Sequence, residues 1–325
     1  MNPAQAAPAA PPGPQRWDDA VKALWAFALD PVRLGGVWLR APHGPVRDRW
    51  LAEMAALGGP GVRIPTHVDD ERLLGGLDLS ASLRSGSTVA QSGLLQRAHG
   101  HWVVLPMAER MRADTLARLV QAQDRGEVHA LHVGNQAAQA SAFGVVALDE
   151  SLDDEPPLAS ALCDRLSLWL DLRDVSWTDV GHRALGTSPW ADDNDNSTAT
   201  QAAGKAKPID RQPTGASDAH AVPRDLQRAR ERLAHILLSE DHTQALCHTA
   251  LALGVGSLRA SLAACRLACA SAAWHGHAEP TDEDVAWAAR MVLAPRATQL
   301  PAPPPDAQAE AEPPPPSEAD APPPD

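Results

Sequence analysis

The stretch Gly93–Met111, GLLQRAHGHWVVLPMAERM, determines how the rest of the chain is interpreted. Its pattern predicts a short helix, a turn, a buried strand over His101–Leu105 and a new helix from about Met107. Folds that hydrolyse nucleotides commonly place two acids at the end of such a strand, where the acids hold Mg²⁺ and position water. Here Leu105 and Pro106 occupy those two places. The stretch therefore predicts the scaffold of an ATPase without its reactive acids.

Composition excludes several classes of protein. The chain has 325 residues, of which 44% are apolar, so it can bury one large core or two ordinary ones. Its net charge of −13 argues against non-specific nucleic-acid binding, which requires clustered Lys and Arg. No apolar run is long enough to span a membrane and no basic and apolar leader is present, so we expect a cytoplasmic protein. The four cysteines lack paired CxxC spacing, so we expect neither a zinc site nor a disulfide framework.

Hydrophobic periodicity on either side of the opening stretch indicates two folded units. An apolar run at 36–39, a helical pattern at 46–57 and an apolar run at 62–64 form a βαβ unit, which predicts a parallel sheet with covering helices. A second region, from Pro223 to about Leu293, is helical throughout. We expect these segments: a disordered tail at 1–15, an α/β core at 16–180, a flexible linker at 181–222, a helical domain at 223–298 and an acidic Pro-rich linker at 299–325.

Several motifs resemble one protein family. Within residues 71–111 the runs ERLLGGLD and GLLQRAHG resemble the chelatase branch of the AAA+ proteins. Leu162–Arg165 (LCDR) is similar to the L-L-D-R-F element of that branch, and Ser257–Arg259 (SLR) is similar to the G-L-R element of its helical lid. The similarity extends over about residues 17–295. It is greatest to the D subunits of magnesium chelatase, in which the third strand also runs into a Met-Ala-Glu-Arg sequence.

The resemblance implies a fold and a function. The fold would be α/β, with an AAA+ P-loop-type parallel sheet flanked by helices, then a helical lid and a disordered Pro-rich tail. The function would be that of a non-hydrolysing subunit, which assembles with a ring of catalytic AAA+ subunits and with the porphyrin-binding large subunit. The complex would use ATP and Mg²⁺ to insert Mg²⁺ into protoporphyrin IX for (bacterio)chlorophyll synthesis. D subunits continue after the acidic linker into an integrin-like metal-binding domain, so this chain resembles a fragment or truncation that stops inside the linker.

The residues of the expected P-loop do not suit a nucleotide. A P-loop needs Gly-x₄-Gly-Lys-Ser/Thr, whose backbone N–H groups, Lys and hydroxyl contact phosphate and Mg²⁺. The matching window, RAPHGPVR, starts at Arg40, which replaces the first Gly. Pro45, Val46 and Arg47 replace the second Gly, the Lys and the hydroxyl. Arg40 and Arg47, with Gly44 between them, could still attract a phosphate, and the alternative is a solvated loop.

Three further positions concern phosphate chemistry. The polar sensor after the fourth strand, usually Asn in the family, falls on Asp149, whose charge would repel phosphate. Arg165 matches the arginine that AAA+ subunits extend to the ATP of a neighbour, and its alternative role is an ion pair with Asp164 or with the acidic loop at 153–155. Arg259 matches the sensor arginine of the lid, and its alternative is a charge on a helix surface. Together with the losses in the P-loop and after the third strand, these residues predict no hydrolysis at this chain's own site.

Other functions remain open at this stage. An active ATPase of the MoxR-like type would share the scaffold, a cobalt chelatase subunit of cobalamin synthesis would share the motifs, and an adaptor would need no nucleotide. The scattered histidines, including His275 and His277, lack ligand spacing, so we expect no metal site. Glu109 lies about one helical turn beyond the missing acids, and we expect it to be a surface or capping acid.

Overall fold

The computed structural model describes residues 11–59, 61–87, 89–131, 138–151, 158–190 and 223–299. The strands in these ranges are β1 (Gly36–Arg40), β2 (Val62–Arg63), β3 (Gly75–Leu77), β4 (Ala90–Ser92), β5 (Trp102–Leu105), β6 (Glu127–Val128), β7 (Gln139–Ala140), β8 (Gly144–Asp149) and β9 (Leu168–Asp171). The helices are α1 (Gly13–Leu29), α2 (Pro31–Leu34), α3 (Pro45–Gly58), α4 (Asp70–Leu74), α5 (Leu79–Ser85), α6 (Leu94–Arg97), α7 (Ala113–Arg125), α8 (Ser160–Cys163), α9 (Arg224–Leu233), α10 (Glu240–Ala252), α11 (Leu258–His275) and α12 (Asp282–Ala288).

The main sheet has the strand order β2-β5-β8-β1-β9, and every neighbouring pair is parallel. All six residues of β8 are buried, as expected for a central strand covered by helices on both faces. Its side chains alternate between two buried clusters: Val146 and Leu148 belong to one, and Val145 and Ala147 belong to the other. The parallel α/β sheet predicted from the sequence is confirmed. Two short antiparallel pairs, β3 with β4 and β6 with β7, lie outside it.

The helix expected from about Met107 begins later than predicted. Met107 has a positive φ of 47°, and a 3₁₀ turn over Ala108–Arg110 separates β5 from α7, which starts at Ala113. A residue in the left-handed region does not continue a right-handed helix. The apolar residues that follow β5 therefore belong first to a turn and only then to a helix.

The N-terminal helix is longer than predicted. It begins at Gly13, so residues 13–15 form its first turn and are not part of a disordered tail. Pro14 is in the first turn, where the missing N–H of proline has no intrahelical partner to lose. The tail at 1–10, the linker at 191–222 and the Pro-rich segment from 300 onward lie outside the described residues.

The beginning of the expected flexible linker packs against the folded units. The amide of Gly186 donates a hydrogen bond of 3.2 Å to Glu53 of α3. The ring of Trp190 lies 5.0 Å from that of Trp287 in α12, edge to face. Residues 181–190 therefore follow the surface of the core and the lid.

The lid consists of α9 to α12 and a π-helical turn over Ala289–Leu293, and it packs against α1 and β9. Trp25 of α1 and Trp274 of α11 meet edge to face with ring centroids 5.1 Å apart. Arg290 pairs with Asp19 of α1, and one of its two hydrogen bonds measures 2.9 Å. Apolar contact and directed ion pairs together fix how the lid is docked.

No membrane-crossing helix is found within the described ranges. The longest helix there, α11, has 18 residues, and none of the described helices joins sufficient length to sufficient apolar character. The cytoplasmic location stays a prediction.

Replacing Trp25 by Ala should lower the free energy of unfolding by about 3–5 kcal/mol, because the change empties a fully buried site between the core and the lid. Trp177, which is 53% exposed, provides the matched control, and Trp177→Ala should change that energy by less than about 0.5 kcal/mol. Urea unfolding followed by circular dichroism measures both variants. Equal effects would contradict the assigned role of Trp25.

Candidate functional site

Strands β1, β5 and β8 end at one side of the sheet, here called the carboxyl edge. Arg40, Leu105 and Asp149 are the last residues of these strands. Arg40 lies opposite Asp149 in the register of β1 with β8. Because ligands of open α/β sheets bind beyond the carboxyl ends of the strands, this edge corresponds to the expected nucleotide site.

Acidic residues of the same chain form ion pairs with the two arginines of the expected P-loop. Asp149 is 2% exposed, accepts a hydrogen bond of 2.8 Å from Trp38 Nε1 and lies 3.7 Å from Arg40 Nε. Glu150, the next residue, is paired with Arg47 in the first turn of α3. Arg47 is itself only 7% exposed. Neither arginine is therefore left to receive a phosphate without giving up an acidic partner.

The remaining positions of the expected site also lack phosphate and Mg²⁺ ligands. Gly44 is the N-cap of α3, and Pro45 follows it without an N–H to donate. Leu105 and Pro106, which stand where the two acids are expected, are buried and apolar. Mg²⁺ requires oxygen ligands, and neither side chain offers one.

Glu109 also lies at the carboxyl edge, so the expectation of a surface acid was wrong. Its side chain is 3% exposed, and Oε2 accepts a hydrogen bond of 3.4 Å from the amide of Glu150. Burial raises the pKa of Glu109, and the nearby charge of Asp149 raises it further. Periodicity could not reveal this position, because it depends on the left-handed turn at Met107.

The charges at the carboxyl edge oppose a bound nucleotide. A triphosphate placed there would meet the carboxyl groups of Asp149, Glu150 and Glu109 at short range. It would also have to separate Arg47 from Glu150, which is a largely buried pair. The residues present therefore do not fit Mg·ATP.

Arg165 lies at the opposite side of the sheet, here called the amino edge, just before β9. Its Nε donates to Asp124 Oδ1 at 3.0 Å, a second guanidinium nitrogen donates to the other oxygen, and Nη1 donates to the carbonyl of Ala161 at 2.6 Å. The expected alternative partners were Asp164 and the loop at 153–155, and that loop lies outside the described residues. Asp124 is 41 residues away in the chain, and no sequence pattern connects it to Arg165.

The structure places Arg259 beside Arg165 and not beside Arg40 and Arg47. Arg259 Nη1 lies 3.4 Å from Asp124 Oδ1, and Arg259 Nε lies 3.4 Å from an oxygen of Asp164. Its side chain is 52% exposed. The docking of α11 against the amino edge places Arg259 near the start of β1, at the other end of that strand from the P-loop window, and its sensor role stays a prediction.

A cavity of about 530 Å³ opens at the amino edge. Its charged lining consists of Arg33, Arg165, Arg259, Arg266, Asp124 and Asp164. Positive charges outnumber negative charges there, and the aspartates are the groups that an incoming anion would replace. The amino edge is thus suited to an anionic group from outside the chain.

Comparison with known proteins identifies the relatives of this chain. The AAA lid domain family matches residues 243–316. The magnesium-chelatase 60 kDa subunit of Cereibacter sphaeroides is 35% identical over 88% of this chain and 42% of that protein. The magnesium-chelatase 67 kDa subunit of Chlorobaculum tepidum is 29% identical over 87% of this chain and 43% of that protein. Over most of its own length, the chain is a homologue of these magnesium-chelatase subunits.

This chelatase-subunit homologue spans less than half the length of the relatives that it matches. Among solved structures, a candidate ATPase from Cytophaga hutchinsonii superposes on it with a TM-score of 0.57, over 92% of each chain and at 15% identity. At that identity the likeness concerns the fold alone. The AAA+ fold and the family that the motifs predicted are both confirmed.

In this chelatase-subunit homologue, Asp124→Ala should lower the free energy of unfolding by at most about 1 kcal/mol near pH 7, because the Arg165–Asp124 pair is partly exposed. The hydrogen bond from Arg165 lowers the pKa of Asp124. Its stabilising contribution is therefore fully present above the unfolded pKa of about 3.9 and is lost as the pH falls from that value through the lower folded pKa. Urea unfolding near neutral pH and in acid measures the difference. A cost that persists in acid would indicate packing and not charge.

Proposed function

We propose that this chain acts as a non-hydrolysing AAA+ subunit of magnesium chelatase. The observation that carries the proposal is the contrast between the two edges of its sheet. At the carboxyl edge, Arg47 is paired with an internal acid, and Asp149 and Glu109 oppose phosphate. At the amino edge, Arg165 and Arg259 line an open cavity. Such a chain keeps the scaffold and offers its arginines to a neighbour.

The Arg47–Glu150 and Arg165–Asp124 pairs differ only slightly in burial. The side chains of Arg47 and Glu150 are 9% and 27% exposed. The side chains of Arg165 and Asp124 are 16% and 35% exposed, so the acid is the more exposed member of both pairs. The two edges differ instead in their balance of charge, because four arginines and two aspartates line the cavity at the amino edge, whereas three acids surround two arginines at the carboxyl edge. A phosphate on a neighbouring subunit therefore meets excess positive charge at the amino edge alone.

Arg165 is proposed as an arginine finger that acts in trans. An arginine of this kind stabilises charge that develops on the transferred phosphoryl group and contributes about 10³–10⁵ in rate. Its planar guanidinium can exchange a bidentate carboxylate for a bidentate phosphate with little change in geometry. Arg259, which shares Asp124 with Arg165, is proposed to add positive charge at the same place.

The proposed partners follow from the family. The chain would assemble with a ring of catalytic AAA+ subunits, which bind ATP and Mg²⁺, and the assembly would act on the porphyrin-binding large subunit in the cytoplasm. Mg²⁺ is also the substrate, which the complex inserts into protoporphyrin IX on the route to (bacterio)chlorophyll. In this proposal the chain contributes contacts and charge, and it contributes no nucleotide site of its own.

The purified chain alone should neither bind Mg·ATP at micromolar concentrations nor release phosphate above the rate of a buffer blank, because its carboxyl edge is acidic and closed. Titration with a fluorescent ATP analogue and a phosphate-release assay measure the two quantities, and the catalytic subunit serves as the positive control. Tight binding with turnover would support the MoxR-like ATPase alternative and overturn our proposal.

Arg165→Ala should lower the ATPase rate of the assembled complex by at least about 10³-fold if Arg165 contacts the ATP of a neighbouring catalytic subunit. The matched control is Arg112→Ala, which removes an exposed arginine paired with Asp114 at the other end of α7. That control should leave the rate unchanged. Size-exclusion chromatography of both variants with the catalytic subunit shows whether assembly is intact.

An unchanged rate with intact assembly would favour the adaptor alternative. The internal pairing of Arg165 with Asp124 is the observation that supports that alternative. A cobalt chelatase function is tested separately, by supplying Co²⁺ and the corresponding tetrapyrrole to the assembled complex. Insertion of Co²⁺ without insertion of Mg²⁺ would overturn the magnesium assignment.

A further inference from the structure

Two histidines and one buried aspartate converge between α11 and α12. His275 Nδ1 lies 2.9 Å from Asp284 Oδ1, and His277 Nδ1 lies 2.8 Å from Asp284 Oδ2. The two imidazole rings stack with their centroids 5.1 Å apart. One possible ligand atom from each residue lies within 4.8 Å of the other two. The sequence gives no recognised ligand spacing for this group, and only the fold assembles it.

The backbone after α11 brings the two histidines to the same side. Helix α11 ends at His275, and Gly276 follows in the left-handed region with φ of 78°. The chain reverses there, and the amide of His277 donates to the carbonyl of Ala272 at 2.9 Å. Glycine adopts this conformation without strain. The His-Gly-His sequence therefore places both imidazoles against the start of α12.

Asp284 is held in place without the help of either histidine. Ser271 Oγ donates to Oδ1 at 2.6 Å, and the amide and hydroxyl of Thr281 donate to Oδ2 at 3.0 and 2.9 Å. The side chain of Asp284 is 0% exposed, whereas those of His275 and His277 are 37% and 39% exposed. The carboxylate is thus already oriented, and the two imidazoles that contact it are partly exposed to solvent.

We propose that His275, His277 and Asp284 bind a divalent transition-metal ion of the zinc type. Two imidazole nitrogens and one carboxylate oxygen, with water as a fourth ligand, form a set that suits Zn²⁺. Bonds of about 2.0–2.2 Å in a tetrahedron place the donor atoms about 3.3 Å apart. The short contacts of 2.9 and 2.8 Å end on different oxygens of Asp284. One oxygen and the two nitrogens nevertheless lie within 4.8 Å of one another, so shifts of about 1.5 Å or less bring all three to that distance. The proposal is independent of the proposed chelatase function.

Metal binding requires that each imidazole remove its proton from Nδ1, and the chemistry of histidine allows this. A neutral imidazole moves its proton from Nδ1 to Nε2, which frees the Nδ1 lone pair for the ion, and a protonated imidazole releases one proton to solvent. Asp284 needs no deprotonation near neutral pH. Burial raises its pKa, but the hydrogen bonds that it accepts, that from His275 first, outweigh burial and hold the pKa well below its ordinary value.

Mg²⁺ does not suit this group of ligands. It prefers six oxygen ligands in a near-ideal octahedron, whereas two of the three protein ligands here are nitrogens. Mg²⁺ therefore serves as a probe that should fail to bind. An ion that does bind would join the end of α11 to the start of α12, beside Trp190, whose ring lies 4.8 Å from that of His275.

Calorimetric titration of the metal-free full chain with Zn²⁺ tests the proposal. We expect saturable binding that raises the melting temperature of the chain, because an ion that binds the folded state stabilises it. Mg²⁺ under the same conditions should produce neither effect. Co²⁺, used as a spectroscopic substitute, should give the visible absorption of a four-coordinate site with nitrogen and oxygen ligands.

Variants separate this group from the other histidines and cysteines of the chain. His275→Ala combined with His277→Ala should weaken Zn²⁺ binding by at least about ten-fold, since even residues behind metal ligands contribute about 10–100-fold. His242→Ala is the matched control: it removes another lid histidine paired with an aspartate, Asp282, and should leave binding unchanged. Circular dichroism confirms that each variant is folded.

Two results would overturn the proposal. One is the absence of saturable Zn²⁺ binding by the wild-type chain, which would leave the three residues as a hydrogen-bonded contact only. The other is undiminished binding by the folded double variant, which would place the ion at another site.

Discussion

Strand β1 lies between β8 and β9 and is hydrogen-bonded to both in parallel, with Arg40 opposite Asp149 on one side and Asp171 on the other. This pairing separates the molecule into two edges. In a parallel sheet all strands begin at one edge and end at the other. Arg40 is at the end of β1 and Arg165 lies before the start of β9, so the two arginines are at opposite edges. The acids at the end of β8 and the arginine that precedes β9 are therefore kept at opposite edges of a buried sheet.

The two edges differ in the environment of their charges. At the carboxyl edge, Asp149, Arg47 and Glu109 are largely withdrawn from water, so each ion pair is costly to open. At the amino edge, Arg165 is also mostly buried, but Asp124 and Arg259 remain partly in solvent, and arginines outnumber aspartates around the cavity. Arginine and acidic side chains are thus present at both edges, but only the amino edge has a surplus of arginine that an incoming anion can contact.

The lid connects these observations. Contacts such as Trp25 with Trp274 and Arg290 with Asp19 dock it on the side of α1, and this docking carries the start of α11 to the amino edge. Arg259 consequently shares Asp124 with Arg165, while the end of α11 turns back at Gly276 and presents two histidines to α12. One helix therefore contributes to the arginine cavity at its first turn and to the histidine group at its last.

The sequence by itself determined the class of fold, the family and the chemical losses at the expected nucleotide site. These follow from local information: apolar periodicity identifies strands and helices, and the residue at a motif position either carries a lysine, hydroxyl or acid or does not, as with Val46, Arg47 and Leu105. Only the tertiary structure decided which side chains meet. Asp124 finds Arg165 across 41 residues, and Glu109 is buried by a left-handed turn. Such contacts depend on strand order, lid docking and single backbone angles, and none of these can be predicted from the periodicity of apolar residues.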